Sequence, residues 1–118
     1  MKEDIFSLIN ERQNVTFAEL VRDVPGFNAV DLAESFELAA DRPGVVYWCL
    51  MSREAVHAMM DLQAEGRIRA RRCGLAPYLI DGTCLTLKIA KPGKSYRRTR
   101  WLAGIFKVLT GNGALRVK

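Results

Sequence analysis

Histidine, cysteine and long apolar runs are scarce in this chain of 118 residues. It contains one histidine and three cysteines, at positions 49, 73 and 84, with no Cys-x-x-Cys pair. This odd, scattered set does not fit a disulfide framework, and a structural zinc ion normally takes four ligands. The longest apolar run, residues 45–51, is far shorter than the roughly twenty residues of a membrane-spanning helix. We therefore expect reduced thiols, no bound metal or other cofactor, and no membrane span.

Acidic residues are almost absent from the second half of the chain. Residues 1–66 hold five Lys or Arg against twelve Asp or Glu, a balance of −7, whereas residues 67–100 hold ten against one, a balance of +9. Residues 101–118 add three cations, and the whole chain carries +5. A concentrated basic surface attracts polyanions because it releases counterions from phosphates. We therefore expect nucleic acid to be the partner of this basic half. Alternatively, the basic half docks on the acidic half, within one molecule or between subunits, or its Lys and Arg side chains solvate the surface of a strand.

Length and composition are those of one globular domain. With 49% apolar and 26% charged residues, a chain of this size buries about two thirds of the surface that it exposes when unfolded. We predict a single domain over residues 1–109 and a flexible tail over residues 110–118. The first five residues include two acids where a secretory signal has positive charge, so we expect a cytoplasmic protein.

Apolar periodicity and capping residues predict four helices. They cover residues 2–11, 17 to about 23, 30–40 and 53–65. Thr16 and Ser52 have the side chains and positions of N-caps for the second and fourth helices. Pro25 ends the second helix because it restricts the residue before it, and Gly66 supplies the C-terminal stop of the fourth.

Short β-branched or alternating segments predict an α+β fold with a small antiparallel sheet. The predicted strands are residues 45–49, 67–73, 78–80 and 85–89. In the second strand Ile68 and Ala70 alternate with arginines, which indicates one buried and one exposed face. Turn residues at 74–77 and 81–82 connect the last three strands into a meander. Residues 101–109 are apolar and fit either a helix or a strand.

The capped fourth helix leads through Gly66 directly into the arginine-rich strand. This arrangement, Ala64-Glu65-Gly66-Arg67-Ile68 before a hairpin, resembles the helix-to-wing segment of winged helix-turn-helix domains, over residues 5–89. The resemblance implies three helices around a small antiparallel sheet, with one helix in the major groove and the hairpin wing on the DNA. The chain departs from that pattern by one extra predicted helix and by a strand between the third and fourth helices.

Neither possible recognition helix is basic. The outward residues of the predicted helix 30–40 are mostly acidic, and helix 53–65 offers few cations against three acids. Phosphate contacts are therefore expected mainly from the hairpin and from the basic arm, which we define as residues 91–100. The predicted nucleic-acid-binding residues are Arg53, Arg67, Arg69, Arg71, Arg72, Lys88, Lys91, Lys94, Arg97, Arg98 and Arg100.

These features predict a small regulatory protein of bacterial or phage type that binds nucleic acid, with double-stranded DNA favoured over RNA. The alternative is a winged-helix module that binds only proteins, since a fold does not fix a function. We find no catalytic constellation, because Ser52 is explained as an N-cap and His57 as a solvated side chain. If residues 101–106 do not pack on the rest of the chain, their apolar side chains predict a homodimer interface.

Overall fold

The computed structural model combines four α-helices with two small β-sheets in its described residues, 1–81, 85, 87–91 and 93–108. The helices are α1 (Lys2–Arg12), α2 (Phe17–Asp23), α3 (Arg53–Ala64) and α4 (Ala76–Asp81). The strands are β1 (Val15–Thr16), β2 (Phe36–Ala39), β3 (Val45–Met51), β4 (Ile68–Arg72), β5 (Arg100–Trp101) and β6 (Gly104–Val108). The predicted α+β class is confirmed. The predicted tail, residues 110–118, lies outside the described residues.

Each sheet has three strands. The first sheet has the order β1-β6-β4, and both of its strand pairs are antiparallel. The second has the order β2-β3-β5, in which β2 runs antiparallel and β5 parallel to β3. Because β4 pairs with β6 along its whole length, its partner is a strand distant in sequence. The predicted hairpin between β4 and the segment directly after it is therefore wrong.

Both predicted N-caps are confirmed. The Thr16 hydroxyl accepts a hydrogen bond from the Glu19 amide at 3.2 Å, and the Ser52 hydroxyl accepts one from the Ala55 amide at 3.1 Å. These bonds satisfy amides that have no partner within the first turn of each helix. The Ser52 hydroxyl also donates to the Gly26 carbonyl at 2.7 Å, which ties the start of α3 to the turn after α2.

The predicted helix over residues 30–40 is wrong. This segment forms a short 3-10 turn, Leu32–Glu34, followed by β2. Val30, an apolar residue at the start of the predicted helix, is fully exposed, whereas Leu38 is buried. Pairing with the apolar strand β3 buries Leu38 of β2, and this tertiary pairing outweighs the helical pattern of the isolated segment.

Five aromatic rings join the two sheets. They come from α2, β3, α4, β5 and β6, and they are Phe17, Trp48, Tyr78, Trp101 and Phe106. Trp48 is stacked on both Phe17 and Tyr78, with ring centroids 5.6 Å apart in each pair. The Tyr78 hydroxyl donates to the Gly104 carbonyl at 2.7 Å and accepts from the Phe17 amide at 3.2 Å. A buried phenol with both bonds satisfied fixes α4 against the first sheet.

Tyr78 belongs to α4, so the predicted strand over residues 78–80 is wrong. The predicted strand over residues 85–89 falls partly outside the described residues, and Ile89 forms an isolated parallel bridge with Trp101. Because residues 78–80 are helical, the expected meander does not form. The apolar segment 78–80 is too short for its hydrophobic periodicity to distinguish a helix from a strand.

Residues 101–106, from the end of β5 to the middle of β6, are all buried within the chain. Trp101 is 1% exposed and Phe106 is completely buried. The exposed apolar patch that a homodimer through this segment requires is therefore not formed. Among the described residues, none of the helices combines the length and the apolar character needed to span a bilayer.

We predict that Asp23→Asn lowers stability at neutral pH and that this loss disappears towards about pH 2. Hydrogen bonds from Arg22 and Arg12 lower the pKa of the Asp23 carboxyl from 3.8 to about 2. A carboxyl with a lowered folded-state pKa stabilises the fold above its unfolded pKa and loses that contribution as the pH falls through the folded value. Urea unfolding along this pH range measures the difference.

Asp61→Asn is the matched control for this prediction. Asp61 is an exposed carboxylate on α3 that forms no ion pair with the described residues. We expect it to show no comparable pH-dependent loss. A loss for Asp23→Asn that stays constant between neutral pH and about pH 2 contradicts the prediction.

Candidate nucleic-acid interface

The exposed face of β4 carries two arginines that form no ion pair with the carboxylates that the structure describes. Ile68 is buried and Ala70 half-buried, whereas Arg69 and Arg71 are exposed, as the alternation predicted. Arg69 stands directly opposite Lys107 of β6. Within the described part of the chain, no carboxylate forms an ion pair with Arg69, Arg71 or Lys107.

The pairing of Arg69 with Lys107 places two positive charges side by side. Directly opposite residues of an antiparallel pair have Cβ atoms about 5 Å apart, and like charges at this spacing destabilise the sheet. An anion bound between them removes the repulsion. Sequence analysis missed Lys107 because residues 101–109 were not assigned to a strand; once β6 is known, its alternation places Lys107 on the face of Arg69.

Arg67 is engaged in contacts that hold α1 against the end of α3. Its guanidinium donates to both carboxylate oxygens of Glu3 at 3.0 Å, lies 3.5 Å from Glu65, and stands 4.1 Å from the Phe6 ring centroid. The hydrogen bond from Arg67 lowers the pKa of the Glu3 carboxyl. A two-pronged contact of this kind is geometrically specific. The structure thus separates Arg67 from the unpaired cations with which it was predicted to act.

The end of β4 is joined to the segment that precedes the basic arm. Nη1 of Arg72 donates to the Ala90 carbonyl at 2.8 Å. The next amide, that of Cys73, donates to the Ala103 carbonyl at 2.8 Å. The segment that precedes the basic arm therefore lies next to the end of β4, although the arm follows β4 by some twenty residues in the sequence.

Arg42, in the turn between β2 and β3, holds the backbone of the basic arm. Its Nε donates to the Lys94 carbonyl at 2.6 Å and its Nη2 donates to the Lys91 carbonyl at 3.1 Å. Because Arg42 bonds carbonyl oxygens, the ammonium groups of both lysines are left free for other partners. No sequence pattern marked Arg42 for this role, since its two partners lie about fifty residues away.

Gly44 provides the second anchor of the arm. The Tyr96 amide donates to the Pro43 carbonyl at 3.2 Å, and the Arg100 amide donates to the Gly44 carbonyl at 2.8 Å. Gly44 has φ +76°, and a Cβ at this position would lie 2.0 Å from the Tyr96 carbonyl oxygen. Only glycine allows the arm to approach the turn this closely.

Tyr96 packs within the arm. Its hydroxyl accepts a hydrogen bond from the Lys91 amide at 2.8 Å, and the Arg100 guanidinium lies 4.5 Å from its ring centroid. A cation over an aromatic ring is attracted to the negative face of the ring. Tyr96 therefore positions Arg100 and shapes the loop.

The remaining cations of this region present free charges. Exposed side chains without an acidic partner among the described residues are those of Lys88, Lys91, Lys94, Arg97 and Arg98. Arg100 is half-buried and likewise forms no ion pair with the described carboxylates. The structure thus brings most of the predicted residues into one region around β4 and the basic arm.

Arg53 lies outside the region around β4 and the basic arm, because it follows the far end of β3. The arm meets β3 at its first two residues, whereas Arg53 follows its last, and a strand of seven residues spans about 20 Å. The Arg53 guanidinium lies 5.3 Å from the Phe36 ring centroid and lines a cavity of about 470 Å³. Asp31 and Glu34 also line this cavity, so its charge is unfavourable for phosphate.

Cys49 and Cys73 are free and half-buried, and the third cysteine lies outside the described residues. Burial raises the pKa of both thiols, which favours the protonated form at neutral pH. Among the residues that the structure describes, no three His, Cys, Asp or Glu side chains are grouped as metal ligands are.

No protein-family model matches this chain, and neither the curated proteins nor the solved structures include one that is significantly similar to it. The role of the surface therefore follows from its own geometry and charge.

We predict that Gly44→Ala destabilises the protein more than Gly66→Ala does. Both glycines have positive φ, +76° and +70°, so an alanine at either site costs about 1–2 kcal/mol of backbone strain. A Cβ at position 66 meets no atom within 4 Å, whereas one at position 44 collides with the arm. Urea unfolding gives the two losses, and limited trypsin digestion should show faster cleavage after Arg97 and Arg98 in Gly44→Ala alone. Equal losses and equal cleavage argue against the anchoring role.

We also predict opposite roles for two arginines that are two residues apart. Arg67→Ala should lower the thermal unfolding midpoint, because it removes the contacts with Glu3, Glu65 and Phe6. Arg69→Ala should not lower it, because that change relieves repulsion by Lys107. Calorimetry of both variants at low salt tests the contrast, and a larger loss for Arg69→Ala overturns it.

Proposed function

We propose that this protein binds duplex nucleic acid, double-stranded DNA in the first place, as a small regulatory protein without catalytic activity. One observation carries the proposal: ten of the eleven predicted cations form no ion pair with any carboxylate of the described residues. The exception is Arg67. The chain has thirteen acidic residues, and those found in ion pairs contact cations outside this set, apart from the two that contact Arg67.

The free cations favour a polyanion over a single acidic protein contact. They lie on the exposed face of β4 and along the basic arm, and the pair formed by Arg69 and Lys107 is destabilising without an anion. A duplex presents phosphates along two strands, and each neutralised phosphate releases counterions. A surface with several anchored cations matches such a repeating ligand.

We further propose that the chain has a winged-helix arrangement with an insertion. The packing of α1 against α3 and β6, and of α2 beside β1, supports this assignment, because these helices then surround the antiparallel sheet β1-β6-β4. The strands β2 and β3 are the insertion between α2 and α3. The segment from β4 to β6 takes the place of the wing, and it is long because it includes α4, the basic arm and β5.

The exposed surface of α3 does not favour its insertion into a major groove. Glu54 and Asp61 are exposed on this helix and repel phosphates, and His57 lies between them in the sequence. The wing segment and β4 are then the main contacts. Contacts with phosphates position a protein on a duplex and carry no sequence information directly. Weak sequence preference is therefore part of the proposal.

A protein-binding role is the second candidate, and one surface favours it. Val30 and Leu32 are exposed, with relative accessibilities of 103% and 62%, and Phe36 is partly exposed near them in the sequence. Asp31 and Glu34 lie in the same segment. An apolar and acidic surface of this kind suits a basic protein partner, and it lies on the side of β3 opposite to the basic arm.

The test compares two double variants with equal net charge. Arg69→Ala/Arg71→Ala removes two cations of the proposed surface, and Arg22→Ala/Arg53→Ala removes two cations outside it. Each variant carries +3, two less than the native +5. Fluorescence anisotropy with a mixed-sequence DNA duplex over a range of salt concentrations gives the slope of log K against log salt. We expect the first variant to flatten this slope by about 2 and the second to change it little.

Two results would count against the proposal. Native protein that does not bind the duplex at low salt favours the protein-binding role. Equal slopes for the two variants show that net charge, and not this surface, determines binding. A single-stranded RNA of the same length serves as the comparison ligand, and stronger binding to it contradicts the preference for a duplex.

A further inference from the structure

A second cavity lies at the junction of the basic arm and β5. It has a volume of about 330 Å³ and is lined by Leu87, Lys88, Arg98, Thr99 and Arg100. Volumes of this order accommodate small ligands. Three of these five side chains are cationic and none is acidic, in contrast to the larger cavity beside Arg53.

Backbone pairing brings two of the three cations together. Ile89 and Trp101 form a parallel bridge, and the Trp101 amide donates to the Lys88 carbonyl at 2.8 Å. Lys88 and Arg100 each precede a residue of this bridge, so they lie side by side. The ring of Tyr96, 4.5 Å from the guanidinium, fixes the position of Arg100. The cavity therefore rests on backbone hydrogen bonds and on one packed arginine.

The charges in this cavity are not neutralised by the described part of the protein. Lys88, Arg98 and Arg100 form no ion pair with a described carboxylate. Adjacent like charges repel each other, and a phosphate with two negative charges converts that repulsion into attraction. The planar guanidinium forks of two arginines also match the oxygens of a phosphate.

We propose that this cavity binds a single phosphorylated nucleoside, either as the unpaired 5′-terminal nucleotide of a strand or as a free nucleotide. The three cations bind its phosphate, the Thr99 hydroxyl offers a further hydrogen bond, and Leu87 gives an apolar wall for the sugar or base. Binding of a 5′-terminal nucleotide of a strand rests on the proposed function, whereas binding of a free nucleotide does not. It adds a site that holds one nucleotide to a surface that otherwise follows the backbone.

Two adjacent arginines provide a matched test. Arg98 lines the cavity and Arg97 does not, and both are exposed. Isothermal titration of the full chain with adenosine 5′-monophosphate, and with adenosine as the ligand without phosphate, measures binding directly. We expect Arg98→Ala to weaken binding of the monophosphate about tenfold or more, and Arg97→Ala to change it less than about twofold. Lys88→Ala should weaken it in the same way as Arg98→Ala.

A DNA hairpin with one unpaired 5′ nucleotide distinguishes the two sources. A preference for the 5′-phosphorylated over the 5′-hydroxyl hairpin that Arg98→Ala abolishes supports the strand end. Monophosphate binding without that preference supports a free nucleotide. Equal affinity for monophosphate and adenosine, or equal effects of Arg97→Ala and Arg98→Ala, overturns the site. Duplex binding without monophosphate binding overturns the site alone, and monophosphate binding without duplex binding overturns the proposed function alone.

Discussion

The aromatic contacts around Trp48 are the interaction on which the rest of the structure depends. Trp48 belongs to the second sheet, while its neighbour Phe17 packs edge-on against Phe106 of the first sheet, with ring centroids 5.1 Å apart. Trp101 contacts Trp48 and directly follows Arg100, the last residue of the basic arm. Burial of these large rings gives the strongest apolar stabilisation available to a small domain. The same contacts therefore hold the sheets together and fix the end of the cationic surface.

Charge is partitioned in the fold as well as along the chain. Among the described residues, the ion pairs other than Arg42–Asp41 in the turn between β2 and β3 gather around α1, α2 and the end of α3, where Arg12 contacts both Glu19 and Asp23. Exposed pairs of this kind add little stability individually. Their effect on β4 and the basic arm is more important than their stabilising effect, because the carboxylates that they engage are unavailable to the cations there. Arg42 fits this pattern, since it anchors the arm through carbonyl oxygens and leaves the arm's cations free.

The accuracy of the sequence predictions follows the range of the interactions involved. The Thr16 and Ser52 caps, α1, α3 and the alternation in β4 depend on neighbours within a few residues, and the structure confirms them. The segments 30–40 and 78–80 were assigned wrongly because a distant partner decides the conformation of each. Strand pairing outweighs the helical pattern of residues 30–40, and the apolar run 78–80 is too short to indicate a helix or a strand. For residues 30–40 that partner is β3, and for Tyr78 it is Trp48, stacked on its ring, together with Trp101, which meets it edge-on.

The sequence by itself determined the α+β class, the capped helices and the location of the net positive charge in the second half, because these are local or additive properties. Only the tertiary structure decided which cations are free. Arg67 and Arg69 are indistinguishable in the alternating strand, yet one contacts Glu3, 64 residues away, and the other faces Lys107. Such pairings arise from packing between distant segments, and no local pattern encodes them.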